Sequence, residues 1–137
     1  MYKVRAATAH PIYVQDRVEK FAELLAAPAS EEQLIKLGQI MYQAHDSYSM
    51  NGLGSDGTDL LVDLVKQAGP QAGLYGAKIS GGGSGGTVVI LGRADAEPAV
   101  QDLMQRYATE CQREPELFSS SSPGAAAFGI IHFQIDV

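Results

Sequence analysis

From Pro11 onward, Val14, Val18, Phe21, Ala22 and Leu25 recur at helical spacing, so the sequence predicts a helix that Pro11 opens and Pro28 ends. Its polar positions, Tyr13, Gln15, Arg17 and Lys20, would face water or a partner. The stretch before it, Met1 to Ala9, is short and mixed, and fits either an edge strand or an ordered arm. Ser30-Glu31-Glu32-Gln33 is a capping box, in which a serine hydroxyl and a glutamine amide satisfy each other's exposed backbone donors. A second helix therefore starts there, with Leu34, Leu37, Ile40 or Met41, and Ala44 as its apolar stripe, and ends near Tyr48. Gly52 and Gly54 break the chain. Asp56 or Thr58 can then cap a third helix through Leu60, Leu61, Leu64, Val65 and Ala68, which Gly69-Pro70 stops.

The pattern then changes. Seven of the chain's 15 glycines fall between Gly73 and Gly86, and the β-branched run Thr87 to Leu91 follows at once as a strand. The glycine cluster thus reads as a loop held between strands. Asp95 can cap a fourth helix with Pro98 in its first turn, carrying Ala99, Val100, Leu103, Met104, Tyr107, Ala108 and Cys111 on one face. Leu117 to Ser119 reads as a short strand, Ser119 to Gly124 as a loop, and Phe128 to Val137 as a closing strand. Helices first, then strand, loop, strand, helix and closing strands give an α+β domain. Its sheet is mainly antiparallel, with helices packed on one face. A parallel Rossmann-type sheet is disfavoured because the glycines join two strands instead of opening a helix.

Five glycines within Gly81 to Gly86 carry a large backbone entropy cost, so something must require them. Tight turns needing positive φ, a mobile linker, and a backbone that must come close to an anion are all readings of such a run. Gly81-x-Gly83-x-x-Gly86 matches the dinucleotide fingerprint only formally, and no Gly-Lys-Ser/Thr follows. Lys78, beside the loop, either reaches toward phosphate or is a solvated strand lysine. The second polar feature is the corner from His45 to Asp59, rich in hydroxyls and carboxylates. It suits a polyol, and equally supplies ordinary caps and turns. Asp59 fits a first-turn dipole partner, and His45 a helix-end cap or packing residue rather than a general base.

Composition narrows the partners. With 137 residues, 45% apolar and 19% charged, the chain is expected to form a single domain over residues 1–137. A net charge of −6 without any basic run argues against nucleic acid or an anionic membrane as partner. Cys111 is the only cysteine, no stretch approaches a membrane span, and Met1 to His10 has no signal-peptide core, so a cytoplasmic location is expected. No His/Cys/Asp spacing suggests a metal site.

Assembled in this order, the sequence resembles the C-terminal half of a GHMP small-molecule kinase. Gly76-Ala77-Lys78-Ile79-Ser80-Gly81-Gly82-Gly83-Ser84-Gly85-Gly86-Thr87-Val88-Val89 looks like that superfamily's third signature motif. Leu37 to Ser49, Gly52 to Asp59 and Ser121-Ser122-Pro123-Gly124-Ala125 look like its arabinokinase and galactokinase branch. The Gly-Leu-Gly-Ser-Asp form departs from the S-x-P-E-L-D pattern usual in galactokinases. The resemblance covers nearly all of the chain but only half of such an enzyme. The phosphate-wrapping P-x-x-x-G-L-S-S-S-A motif and the usual catalytic aspartate belong to an N-terminal nucleotide-binding domain absent from this sequence.

The resemblance implies a ferredoxin-like antiparallel sheet and an ATP-dependent sugar kinase acting on an L-arabinose- or galactose-type substrate. ATP and Mg²⁺ would serve the complete enzyme, with no metal held by this domain and no catalytic residue in it. Gly81, Gly82, Gly83, Ser84, Gly85, Gly86 and Lys78 would support the phosphate loop, while Ser47, Ser55, Asp56 and Thr58 would offer sugar contacts. The partner would be the N-terminal domain, without which the chain is expected to be inactive and its uncovered face able to self-associate into a homodimer. The alternative is an autonomous sugar- or nucleotide-binding module without catalysis.

Overall fold

The computed structural model describes residues 4–83 and 85–119, together with 127, 129 and 134. Four helices and two strands follow in the order α1 (Val4–Ala26), α2 (Glu31–Met50), α3 (Asp56–Ala68), β1 (Leu74–Ile79), β2 (Val88–Gly92) and α4 (Glu97–Cys111), with a short 3-10 turn at Pro70–Ala72. Among the described residues the sheet is the antiparallel pair β1-β2, so the architecture is α+β, as the element order predicts. The closing strand expected at Phe128 to Val137 lies largely outside the described residues.

The N-terminal segment departs from expectation. Val4 to Ala9 is neither strand nor arm but the first turns of α1, with Pro11 inside the helix. Proline removes the bond to the carbonyl four residues back. Here both Pro11 and Ala7 are exposed, so water can take up that carbonyl, and the surrounding alanines favour helix. No residue of α1 is fully buried. Val14, Phe21 and Leu24 half-bury against α2, whereas Val18 and Leu25, which the pattern puts on the inner face, are 56% and 59% exposed. Among the described elements α1 packs chiefly on α2, and a helix packed on one side covers only a narrow stripe.

The Ser30 capping box forms as predicted. The Ser30 hydroxyl accepts from the Gln33 amide at 3.1 Å, and the Gln33 side-chain oxygen accepts from the Ser30 N–H at 3.3 Å. Gln33 also donates to the Leu24 and Ala27 carbonyls, so one side chain starts α2 and ends α1. At α3 the cap is neither Asp56 nor Thr58. Ser55 caps the helix, and Thr58 is its reciprocal partner at the third position. At α4 the expected Asp95 cap is not made: Ala96 holds that position, and Asp95 is drawn instead to the Arg93 guanidinium at 2.9 Å. Leu117 to Ser119 is irregular, with Phe118 exposed.

Strand β1 is the centre of the molecule, with α2 and α3 packed on it and α4 behind α3. Leu74, Ala77, Val62, Val65, Leu103 and Tyr107 share one apolar cluster, and Leu37 and Ile79 are fully buried as well. Each fully buried aliphatic side chain of this kind contributes roughly 1.5–3 kcal/mol. Helix α2 approaches β1 backbone to backbone at Gly38, where a Cβ would collide with the Tyr75 carbonyl. A Cβ on Gly76 would in turn meet the Gly38 backbone. The strand register skips Tyr75 between Leu74 and Gly76, so this irregularity sits where the helix crosses.

Candidate functional site

The loop that follows β1 closes on itself. The Ser80 N–H donates to the Thr87 carbonyl at 2.9 Å, continuing the ladder by one pair and leaving the glycines as a protruding turn. Gly81, Gly83 and Gly86 have φ of 72°, 87° and 75°, in the left-handed region that L side chains avoid. Their conformation explains those three. Gly82 and Gly85 lie outside that region, and a Cβ on Gly82 would meet nothing within 4 Å. Among the described residues nothing therefore requires glycine at 82. Ser84 lies outside the described residues.

The loop leans on the end of α2. The Tyr48 hydroxyl donates to the Gly81 carbonyl at 3.2 Å. A Cβ on Gly83 would come within 2.6 Å of Leu53 Cβ and 3.3 Å of the Tyr48 ring. Lys78 is half-buried rather than freely solvated. Its Nζ donates to the Ile79 carbonyl at 2.6 Å and lies 5.7 Å from the centre of the Tyr48 ring. Burial holds its pKa below the usual lysine value. Among the described residues no carboxylate pairs with it.

Beneath the loop, His45 ties the end of β1 to the polar corner. Its Nδ1 accepts from the Ile79 N–H at 3.3 Å, which leaves the ring proton of the neutral side chain on Nε2, 3.1 Å from Asp59 Oδ1. The Ser49 hydroxyl donates to the same carboxylate oxygen at 3.0 Å. His45 is buried, in keeping with a packing role, and the pairing gives Asp59 a task beyond that of a first-turn acid. A His45→Leu variant is expected to lose about 2 kcal/mol of stability, because a buried N–H is left unpaired. Urea unfolding checks this, and an unchanged midpoint would mean the contact contributes nothing.

The four residues named as sugar contacts are not brought together at one surface. Ser47 is buried and its hydroxyl lies 2.7 Å from His10 Nδ1, facing α1. The Thr58 hydroxyl is buried within its cap, donating to the Ser55 carbonyl at 3.0 Å. Ser55 and Asp56 are exposed at the start of α3, where Asp56 is the free acid of the first turn. A groove of about 590 Å³ runs between the first turns of α1 and the end of α2. It is lined by Val4, Ala9, His10, Tyr13, Ser47 and Met50 among others and does not include the glycine loop. Among the described residues no cluster of three or more His, Cys, Asp or Glu side chains could hold a metal ion, and no helix is long and apolar enough to cross a membrane.

Tyr48 is the residue that reading the sequence missed. It appears there only as a helix end, and its contacts to Gly81 and Gly83 depend on a loop more than 30 residues away, which no local pattern announces.

Known proteins resemble this chain over most of its length. Residues 21–109 match the family described as GHMP kinases C terminal. An L-arabinokinase of Arabidopsis thaliana is 46% identical over 97% of this chain, an alignment that takes in 14% of that protein. A galactokinase of Thermosipho africanus is 28% identical over 70% of the chain and 26% of its own length, and one from Mycobacterium tuberculosis 32% over 85% and 31%. The chain thus spans less than a third of each of these relatives.

Proposed function

The chain belongs to the GHMP kinase C-terminal family, and from that premise we propose that it forms one wall of the phosphoryl-transfer cleft of an ATP-dependent sugar kinase. The observation that carries this reading is Gly82. Glycine costs backbone entropy, the described residues leave that position open, and its φ does not demand it. No described residue of this chain lies against that position, which leaves it open to a neighbour from another domain. A phosphate-bearing loop of a preceding nucleotide-binding domain, seated against a surface without side chains, fits there.

Transfer of a γ-phosphoryl group depends mostly on positioning and on donors that meet charge on the phosphate oxygens. ATP supplies the transferred group, and magnesium arrives with it, held by the preceding domain. This chain's own contribution is structural and electrostatic. Gly81 to Gly86 give close backbone approach, and Lys78 offers a cation that no carboxylate of the described chain neutralises. The likeness to an L-arabinokinase and to galactokinases supports a pentose or hexose of the L-arabinose or galactose type as acceptor. Of the four candidate sugar contacts, Ser55 and Asp56 are the exposed pair able to meet a sugar hydroxyl, while Ser47 and Thr58 set the corner's shape.

The test is to join the chain to a nucleotide-binding domain from a sugar-kinase relative and to measure transfer from ATP to a panel of aldoses. L-arabinose or galactose is expected to be phosphorylated. Transfer to none of the panel by a folded fusion contradicts the reading.

A further inference from the structure

We infer that Tyr48 is a positioning residue for the glycine loop, holding it in the conformation that the cleft uses; the functional half of this inference rests on the kinase reading above. Four separate contacts converge on this one side chain. Its hydroxyl donates to the Gly81 carbonyl at 3.2 Å, fixing the first residue of the turn. Its ring stands beneath Gly83, close enough that a Cβ there would come within 3.3 Å of Cδ1. The Lys78 ammonium sits 5.7 Å from the ring centre, and the His10 ring meets Tyr48 edge-on with 4.9 Å between centroids. The loop, the strand that feeds it and helices α1 and α2 are thus registered to each other through one phenol.

The arrangement is stiff on one side and soft on the other. The ring is half-buried and the tyrosine belongs to a helix, which restricts its rotamers and so the position of its hydroxyl. The loop above it consists mainly of glycines, which have the most backbone freedom to lose. A single hydrogen bond to Gly81 therefore selects among many loop conformations. The same ring holds Lys78 by its face, so loop shape and the position of the nearby cation are set together.

Hydrogen exchange on the 137-residue chain tests this directly. Tyr48→Phe keeps the ring and loses the donor, so amides of the segment 80–87 are expected to exchange about two- to tenfold faster, while α3 amides are unchanged. Tyr48→Ala, which also removes the support under Gly83, is expected to accelerate the loop further. Unchanged loop exchange in both variants, or equal acceleration throughout α3, overturns the inference. In the fusion with a nucleotide-binding domain, Tyr48→Phe is expected to raise the KM for ATP by a similar factor and leave the KM for sugar within twofold. A loosened loop with an unchanged KM for ATP overturns its link to the nucleotide. Absence of transfer in the unmutated fusion counts against the kinase reading instead, and the exchange result then decides the role of Tyr48 alone.

Discussion

A Gly82→Val chain is expected to keep its fold and lose its part in phosphoryl transfer. A Cβ at this position meets none of the described residues within 4 Å, and the backbone lies outside the left-handed region, so the change should alter stability by no more than about 0.5 kcal/mol, as for an ordinary surface site. In the fusion enzyme the isopropyl group would stand where the phosphate loop of the preceding domain seats. A displacement near 1 Å at such a site can cost about a hundredfold in rate, and a loss of that order in kcat/KM for ATP is the expected result. Gly83→Val is expected to abolish transfer too, but for a reason internal to the chain. Its φ is 87° and its Cβ would press on Leu53 at 2.6 Å, so the loop itself would deform. The pair separates close approach by another domain from distortion of this one. Full activity in Gly82→Val, with a melting temperature unchanged, would show that nothing seats there.

The largest effect on the fold is expected from Gly38→Ala. Its Cβ would collide with the Tyr75 carbonyl of β1, a backbone atom that cannot rotate aside. Relief requires α2 to move away from the strand on which both α2 and α3 rest, opening the core around Leu37 and Ile79. Overpacking of this kind typically costs about 1–3 kcal/mol, and a rigid backbone contact belongs at or beyond the top of that range. For a domain of this size the melting temperature should fall by about 10 °C or more. Gly52→Ala is not a suitable control, because its φ of 73° brings its own strain. Gly82→Ala is the appropriate one, and equal melting temperatures for Gly38→Ala and Gly82→Ala would disprove the close crossing.

These two glycines also show where the sequence was readable and where it was not. The Ser30 box was legible because both of its hydrogen bonds span three residues, and such short-range chemistry depends little on the rest of the fold. The succession of helices and the strand-loop-strand around the glycines followed from periodicity, and so did the α+β class. Pro11 was misleading. It suits a helix start by rule, yet an exposed carbonyl at Ala7 made it tolerable inside α1. Asp95 stands one residue before the N-cap position of α4, which Ala96 occupies, and its carboxylate meets Arg93 instead.

What no pattern revealed are the long-range contacts. Gly38 sits inside an apolar helix stripe and gives no sign that a strand carbonyl lies against it. Tyr48 and His45 acquire their roles from Gly81 and Ile79, brought near only by the packing of α2 along β1. The candidate sugar contacts share residue type and one corner of the sequence, and residue type does not say which way a hydroxyl points. Ser47 turns to His10 and Thr58 into its own cap.

If this chain supplies a wall of the cleft while the reacting machinery lies in the preceding domain, neither half should transfer phosphate without the other. ATP-dependent phosphorylation of L-arabinose and galactose by the purified 137-residue chain alone is to be compared with that by the same chain supplied with a nucleotide-binding domain from a sugar-kinase relative. No turnover is expected in the first case and measurable sugar phosphate in the second; turnover by the chain alone, free of contaminating kinase, would show that the reacting machinery is not in the preceding domain.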